Sequence, residues 1–262
     1  MRLSWKLGRV SGIDLFLHPS ALLLFFLGSG MMPTPLGSAA CVVALLVSIV
    51  LHELGHALMA RRYGIGTADI TLYLFGGVAR LERMPRSSGP ELLIALAGPA
   101  VNFAIVLALG GVLGLLQALG LPWPGILMVV LGLNLFLGLF NLLPIFPMDG
   151  GRVLRALLSG PFGRLRATEF AATLGKVLAV AGGLYFVATG QYSTLILVGF
   201  VFLAGSTELR QVRAEGQPDA SPDGLIGAPP PPAGFHWSNR GDGVWRLVPI
   251  MAHAEGRTGS WG

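Results

Sequence analysis

Six long apolar blocks dominate this chain, and few architectures accommodate them. They run over 15–32, 39–60, 91–117, 125–146, 170–189 and 192–208. A helix that crosses roughly 30 Å of hydrocarbon needs about 20 predominantly apolar residues, and each block meets or approaches that length. Composition agrees: 53 % of the 262 residues are hydrophobic and only 12 % are charged, against about a quarter charged in soluble domains. The expected fold is an all-α polytopic membrane protein of about six transmembrane helices. The third block is long enough for a tilted or kinked helix. Only Gly190 and Gln191 separate the last two, so these should form a hairpin. No cleavable signal peptide is expected, because the first block lacks a clean small-residue cleavage site.

Basic residues orient the spans. The linkers at 33–38, 118–124 and 190–191 contain no Lys or Arg. Three of the 18 basic residues precede the first block (Arg2, Lys6, Arg9), and five lie between the second and third (Arg61, Arg62, Arg80, Arg83, Arg86). Five lie around the fourth-to-fifth linker (Arg152, Arg155, Arg164, Arg166, Lys176), and five follow the sixth block (Arg210, Arg213, Arg240, Arg246, Arg257). The positive-inside rule then predicts both termini in the cytoplasm. This asymmetry accounts for the net charge of +5 without a nucleic-acid partner. The single cysteine, Cys41, lies in an apolar run and reads as a small buried hydrophobe.

The second block contains His52-Glu53-Leu54-Gly55-His56. Histidines four apart share one helical face and can bind one metal, and the adjacent glutamate can activate a bound water as general base. Glu53 precedes Arg61 by roughly 12 Å of helix at about 1.5 Å per residue, inside the hydrocarbon toward the cytoplasm. Ionisable groups there are costly and mark function. A structural zinc would use four protein ligands, whereas a catalytic zinc wants three and an open position.

Asp149 stands out as a third ligand. It lies in Asn141-Leu-Leu-Pro144-Ile-Phe-Pro147-Met-Asp149-Gly150-Gly151, where two prolines interrupt the helix and two glycines permit unusual backbone. Broken helices in membranes occur where backbone lines a buried site. From spacing alone, this segment either turns Asp149 back toward His52 and His56 or forms an ordinary helix-terminal turn with a solvated aspartate.

Taken together, these segments resemble the site-2 protease family of intramembrane metalloproteases. The HELGH sequence is similar to the family's first motif, and Asn141 to Gly151 is similar to its NxxPxxxxDGG motif. Gly98-Pro99-Ala100-Val101-Asn102 resembles the GPxxN signature, and Leu17-His18-Pro19-Ser20 a histidine-proline element. The resemblance spans residues 13 to about 152. It implies one Zn2+ per chain, held by the metal ligands His52, His56 and Asp149, with Glu53 as catalytic base. It implies that Asn141 donates to the substrate carbonyl or its developing oxyanion; the alternative, from its place on one helical face with Asn134 and Gly138, is interhelical packing. Asn134 and Asn102 read as structural hydrogen-bonding residues, and His18 as a pocket-lining or hydrogen-bonding residue. The implied activity is that of a metalloendopeptidase cutting in or near transmembrane segments, in regulated intramembrane proteolysis or in clearance of signal-peptide remnants. The implied setting is the cell membrane, multi-pass, with the bilayer and membrane-protein substrates as partners; a homodimer is compatible with it. Two rivals differ in one feature each. Another HExxH membrane class would use Glu91 or Glu169 as third ligand, and a metal transporter would need further acids or histidines along several spans.

Residues 66–82 alternate Ile70, Leu72 and Leu74 with Thr71 and Tyr73, which suits a strand, and Gly76-Gly77 marks a bulge or turn. A small membrane-associated β hairpin or sheet is expected between helices two and three. It resembles the family's glycine-bearing sheet, whose edge would pair with an unwound substrate; the alternative is an ordinary cytoplasmic hairpin. The expected domains are a metalloprotease domain over 1–213, including further helices over 170–208, and a cytoplasmic Pro-rich linker and tail over 214–262. The tail carries Pro229 to Pro232 and Trp237, Trp245 and Trp261, suggesting either a small hairpin or a membrane-surface segment. His236 and His253 read as surface residues.

Overall fold

The computed structural model describes residues 4–74, 76–83, 85, 87–191, 195–216, 232, 235–239 and 245–249. Trp5–Val10 (β1) and Ile13–Leu17 (β2) form an antiparallel hairpin. A 3-10 turn, Pro19–Leu22, and the five-residue helix Leu23–Leu27 (α1) follow. The first apolar block is therefore not a single spanning helix, contrary to expectation. His18 precedes a proline, which disfavours helical backbone at that position, and it is extended at φ −82° and ψ 143°. The apolar residues upstream of it pair into a sheet instead.

Pro35–Arg62 (α2, 28 residues) opens on Thr34, whose hydroxyl accepts the Gly37 N–H at 3.1 Å. Pro35 suits the first helical turn, and Arg61 and Arg62 at the far end complement the helix dipole. Ser88–Ala118 (α3, 31 residues) and Arg164–Ala188 (α6, 25 residues) are likewise long and apolar enough to cross a membrane. Gly125–Asn141 (α4) is apolar but has 17 residues. The sixth block begins at 192–194, outside the described residues, and continues as Leu195–Gly216 (α7). Among the described residues, three helices rather than six meet the length and composition of a span. The chain is a multi-pass membrane protein. Leu107, Leu115, Phe136 and Leu184 are each more than 60 % exposed, an apolar surface suited to lipid.

The expected hairpin between helices two and three is present as Thr67–Tyr73 (β3) and Gly76–Leu81 (β4). It is half of a four-stranded sheet in the order β1-β2-β3-β4, with β2 parallel to β3. One face of this sheet rests on α2: Ile13, Leu15 and Ile70 pack with Leu54 and Ala57, and Val50 and Ala79 join them. The sheet is thereby seated on the helical stretch that carries HELGH.

After α4 the chain turns over 142–148 and enters Asp149–Phe162 (α5). A Cβ on Gly151 would stand 2.7 Å from the Ile145 carbonyl oxygen, so only glycine lets α5 begin so close to the loop. Arg155, fully buried, ties α5 to its neighbours. It donates to Glu91 of α3 at 2.7 Å and to Glu208 of α7 at 2.6 Å, and lies 5.0 Å from the Phe146 ring centroid. Arg164 adds a bond to Glu91 at 3.1 Å and one to the Pro85 carbonyl at 3.0 Å.

Contacts divide the chain into Met1–Arg210 and Gln211–Gly262. In the second unit, Phe235–Asn239 (β5) and Trp245–Pro249 (β6) pair antiparallel, which is the hairpin alternative for the tail. Residues 229–231, His253 and Trp261 lie outside the described residues.

Candidate metal centre

The two HELGH histidines lie one helical turn apart on the buried side of α2, and α5 begins with Asp149 facing them. His52 Nε2, His56 Nε2 and Asp149 Oδ2 form a triangle with all three separations 3.1 Å. All three residues are buried. For zinc bonds of about 2.0–2.2 Å at tetrahedral angles, neighbouring donors stand about 3.3–3.6 Å apart. The three atoms lie just inside that separation. Two imidazoles and a carboxylate also suit zinc chemically, and they leave a fourth position. Among the described residues, this is the group that could hold a metal ion.

The far side of each ring is fixed. His52 Nδ1–H donates to Asn102 Oδ1 at 2.5 Å, and His56 Nδ1–H to the Ile94 carbonyl at 2.7 Å. These bonds hold both rings in the tautomer that turns the Nε2 lone pair to the shared point. The Asn102 amide donates to Asn134 Oδ1 at 3.0 Å. Asn134 donates to Ser48 Oγ at 3.0 Å and the Val130 carbonyl at 2.9 Å, and the Ser48 hydroxyl to the Ala44 carbonyl at 2.8 Å. Asn102 and Asn134 are fully buried, where an unpaired amide would be costly. The chain of bonds registers α2, α3 and α4 against one another.

Gly98 completes the enclosure. A Cβ there would fall on His56 Nε2 and stand 2.7 Å from His52 Nε2. Glycine keeps clear the space into which both nitrogens point. Gly55 on α2 performs the matching service, since a Cβ there would lie 2.7 Å from the Ala97 carbonyl oxygen.

The triangle opens on a cavity of about 310 Å³. Its walls come from α2 (Ile49, His52, Glu53, His56), from β4 and from the α4–α5 turn. Glu53 Oε2 accepts the Ala79 N–H of β4 at 3.2 Å. A Cβ on Gly77 would stand 2.5 Å from Glu53 Cγ. Gly76, at φ 133°, occupies backbone that favours glycine. Asn141 lines the same cavity and gives one amide hydrogen to the Leu137 carbonyl at 3.0 Å.

The sequence-derived residues His52, Glu53, His56, Asn141 and Asp149 thus line one cavity. His18 does not join them. Its ring accepts the Ser20 N–H at 3.2 Å, and its centroid lies 5.0 Å from that of Tyr73. Glu91 is engaged by Arg155 and Arg164, and Glu169 stands outside the triangle, so neither takes the place of Asp149. Arg152, read from sequence only as an orienting charge, lines the cavity one turn beyond Asp149. Its i+3 spacing from Asp149 is the signal that could have found it.

The family model of Peptidase family M50 matches residues 40–121 and 119–182. A zinc metalloprotease of Methanocaldococcus jannaschii is 37 % identical over 219 residues, covering 82 % of this chain and 63 % of that protein. Stage IV sporulation protein FB of Bacillus subtilis is 30 % identical over 173 residues, covering 65 % of this chain and 58 % of that protein. This chain therefore spans about six-tenths of the length of these curated relatives. The solved structure of the Site-2 Protease from Methanocaldococcus jannaschii superposes with a TM-score of 0.59 at 36 % identity, over 79 % of this chain and 95 % of that one. With the model matched over more than half its length, the chain belongs to peptidase family M50, the site-2 protease family.

Proposed function

We propose that this chain is an intramembrane zinc endopeptidase that hydrolyses peptide bonds in or near transmembrane segments of membrane proteins. The observation that carries the reading is the convergence of two histidines and an aspartate from distant helices on one point, beside a carboxylate that is not among the three. Zinc, when bound by His52, His56 and Asp149, supplies a Lewis acid that polarises the scissile carbonyl and acidifies a water. Glu53 moves the proton. Its Oε2 is held by the Ala79 N–H, which leaves Oε1 to take a proton from the attacking water and return it to the leaving amine. Asn141, with one amide hydrogen on Leu137, offers the other to the carbonyl as it gains negative charge.

A transmembrane helix that keeps its internal hydrogen bonds withholds its peptide bonds from attack. The β4 edge answers that difficulty, because Gly76 to Ala79 line the cavity and an edge strand can take up an extended chain. Preferred substrates then carry helix-weakening residues near the scissile bond. Both termini lie in the cytoplasm on this reading, and water reaches Glu53 from that side. Regulated proteolysis of a membrane-tethered protein, or clearance of signal-peptide remnants, is the physiological setting that fits. A transporter reading lacks support, since among the described residues no second cluster could pass an ion onward.

Metal removal tests the proposal. Chelation of the detergent-purified protein should abolish cleavage of a single-span substrate, and stoichiometric zinc should restore it. Asp149→Ala should lower both zinc content and cleavage. Cleavage that persists in fully demetallated protein would contradict the reading.

A further inference from the structure

The cavity holds one charged group to which the mechanism gives no task. Arg152 lies on the first turn of α5 and lines the cavity with Asp149, Asn141 and Glu53. Among the described residues it makes no hydrogen bond and no close ion pair, although its charge acts on the neighbouring Asp149 carboxylate; its N–H donors are left to bond. Its neighbours on adjacent turns and elements are engaged: Arg155 is bonded to Glu91 and Glu208, and Arg164 to Glu91 and Pro85. A guanidinium presents five N–H donors and no acceptor.

An extended peptide exposes N–H and C=O groups along both edges, and each must find a partner when water is excluded. If one edge pairs with β4, the carbonyls of the other face the α4–α5 wall. That wall offers two side-chain donors, the second amide hydrogen of Asn141 and the guanidinium of Arg152. The remaining charged side chains of the cavity, Glu53 and Asp149, are acceptors, and the histidine Nε2 atoms face the metal point. A substrate carboxylate would meet the charges of Glu53 and Asp149, whereas a neutral carbonyl does not.

We infer that Arg152 is a substrate-binding residue that donates to a main-chain carbonyl of the extended substrate, independently of the substrate's side chains. The inference rests on the endopeptidase reading above, and its test separates the two. Binding is measured in detergent on Glu53→Gln, so that the peptide stays intact. The probes are fluorescent single-span peptides with a central Gly-Pro, one neutral and one with Asp beside the scissile position. Adding Arg152→Gln should weaken binding of both by about ten-fold, the scale of one hydrogen bond to a charged group. Arg152→Lys should recover part of the loss, with zinc content unchanged in each variant. Unchanged affinity, a loss confined to the Asp peptide, or loss of zinc would overturn the inference. Failure of the wild-type protein to cleave either peptide would instead count against the endopeptidase reading.

Discussion

At the scale of residues, the centre is held from behind as firmly as from the front. His52 leans on Asn102, which leans on Asn134, which leans on Ser48. Asn102→Ala should weaken zinc affinity by about 10–100-fold, the usual effect of losing a partner behind a metal-bound histidine. Competition with a chromogenic chelator measures it, and unchanged affinity would show that the bond does not orient the ring. Gly98→Ala should be harsher, because its Cβ would fall on His56 Nε2; zinc content by elemental analysis should drop well below one per chain. The histidine pair was legible because its spacing lies within one helix. The structural roles of Asn102 and Asn134 were legible too, but not their partners, since the bonded residues stand 50, 32 and 86 apart and local pattern carries no information about such pairing. Asp149 falls between these cases. Its prolines and glycines announced a broken helix, while its direction depended on how α5 docks.

At the scale of elements, α5 and the sheet bring Asp149 and Glu53 to one place. Arg155 is fully buried and bonded to two carboxylates. Removing one side of a buried ion pair leaves the other uncompensated, at a cost of about 3–5 kcal/mol. Arg155→Leu should therefore lower the unfolding temperature in detergent, and Glu208→Leu in the same chain should recover part of the loss, since Glu91 keeps Arg164 as its partner. A neutral response would mean that these charges are solvated. On the sheet side, Gly77→Val should reduce turnover with little loss of zinc, because the added carbons crowd Glu53 and alter the β4 edge while the triangle is untouched. Unchanged turnover would mean that the β4 edge takes no part in substrate binding. Half of this sheet was legible from the alternation around Ile70 and Leu72. The other half was hidden because β1 carries a bulge between Lys6 and Gly8, and because β2 runs straight into an apolar segment whose length imitated a span.

At the scale of the molecule, apolar length overstated the number of long spanning helices among the described residues. A run such as 15–32 satisfies the length criterion, but length cannot distinguish a lipid-facing helix from a strand, a proline turn and a short helix in succession. The orientation rests on charge placement and is open to direct labelling. With Cys41→Ser as a cysteine-free parent, a cysteine introduced at Gly120 should react with a membrane-impermeant maleimide from outside intact cells. One at Gly64 should react only after the membrane is opened; the reverse pattern would invert the topology. In the proposed mechanism Glu53 performs proton transfer for peptide hydrolysis at a centre built by His52, His56 and Asp149. Its most direct test is cleavage of a panel of single-span substrates by the wild-type protein and Glu53→Gln in detergent, with zinc content measured in both. The wild type should cleave, Glu53→Gln should give no detectable product, and zinc should be equal in the two; equal cleavage by both proteins would rule out Glu53 as the proton carrier.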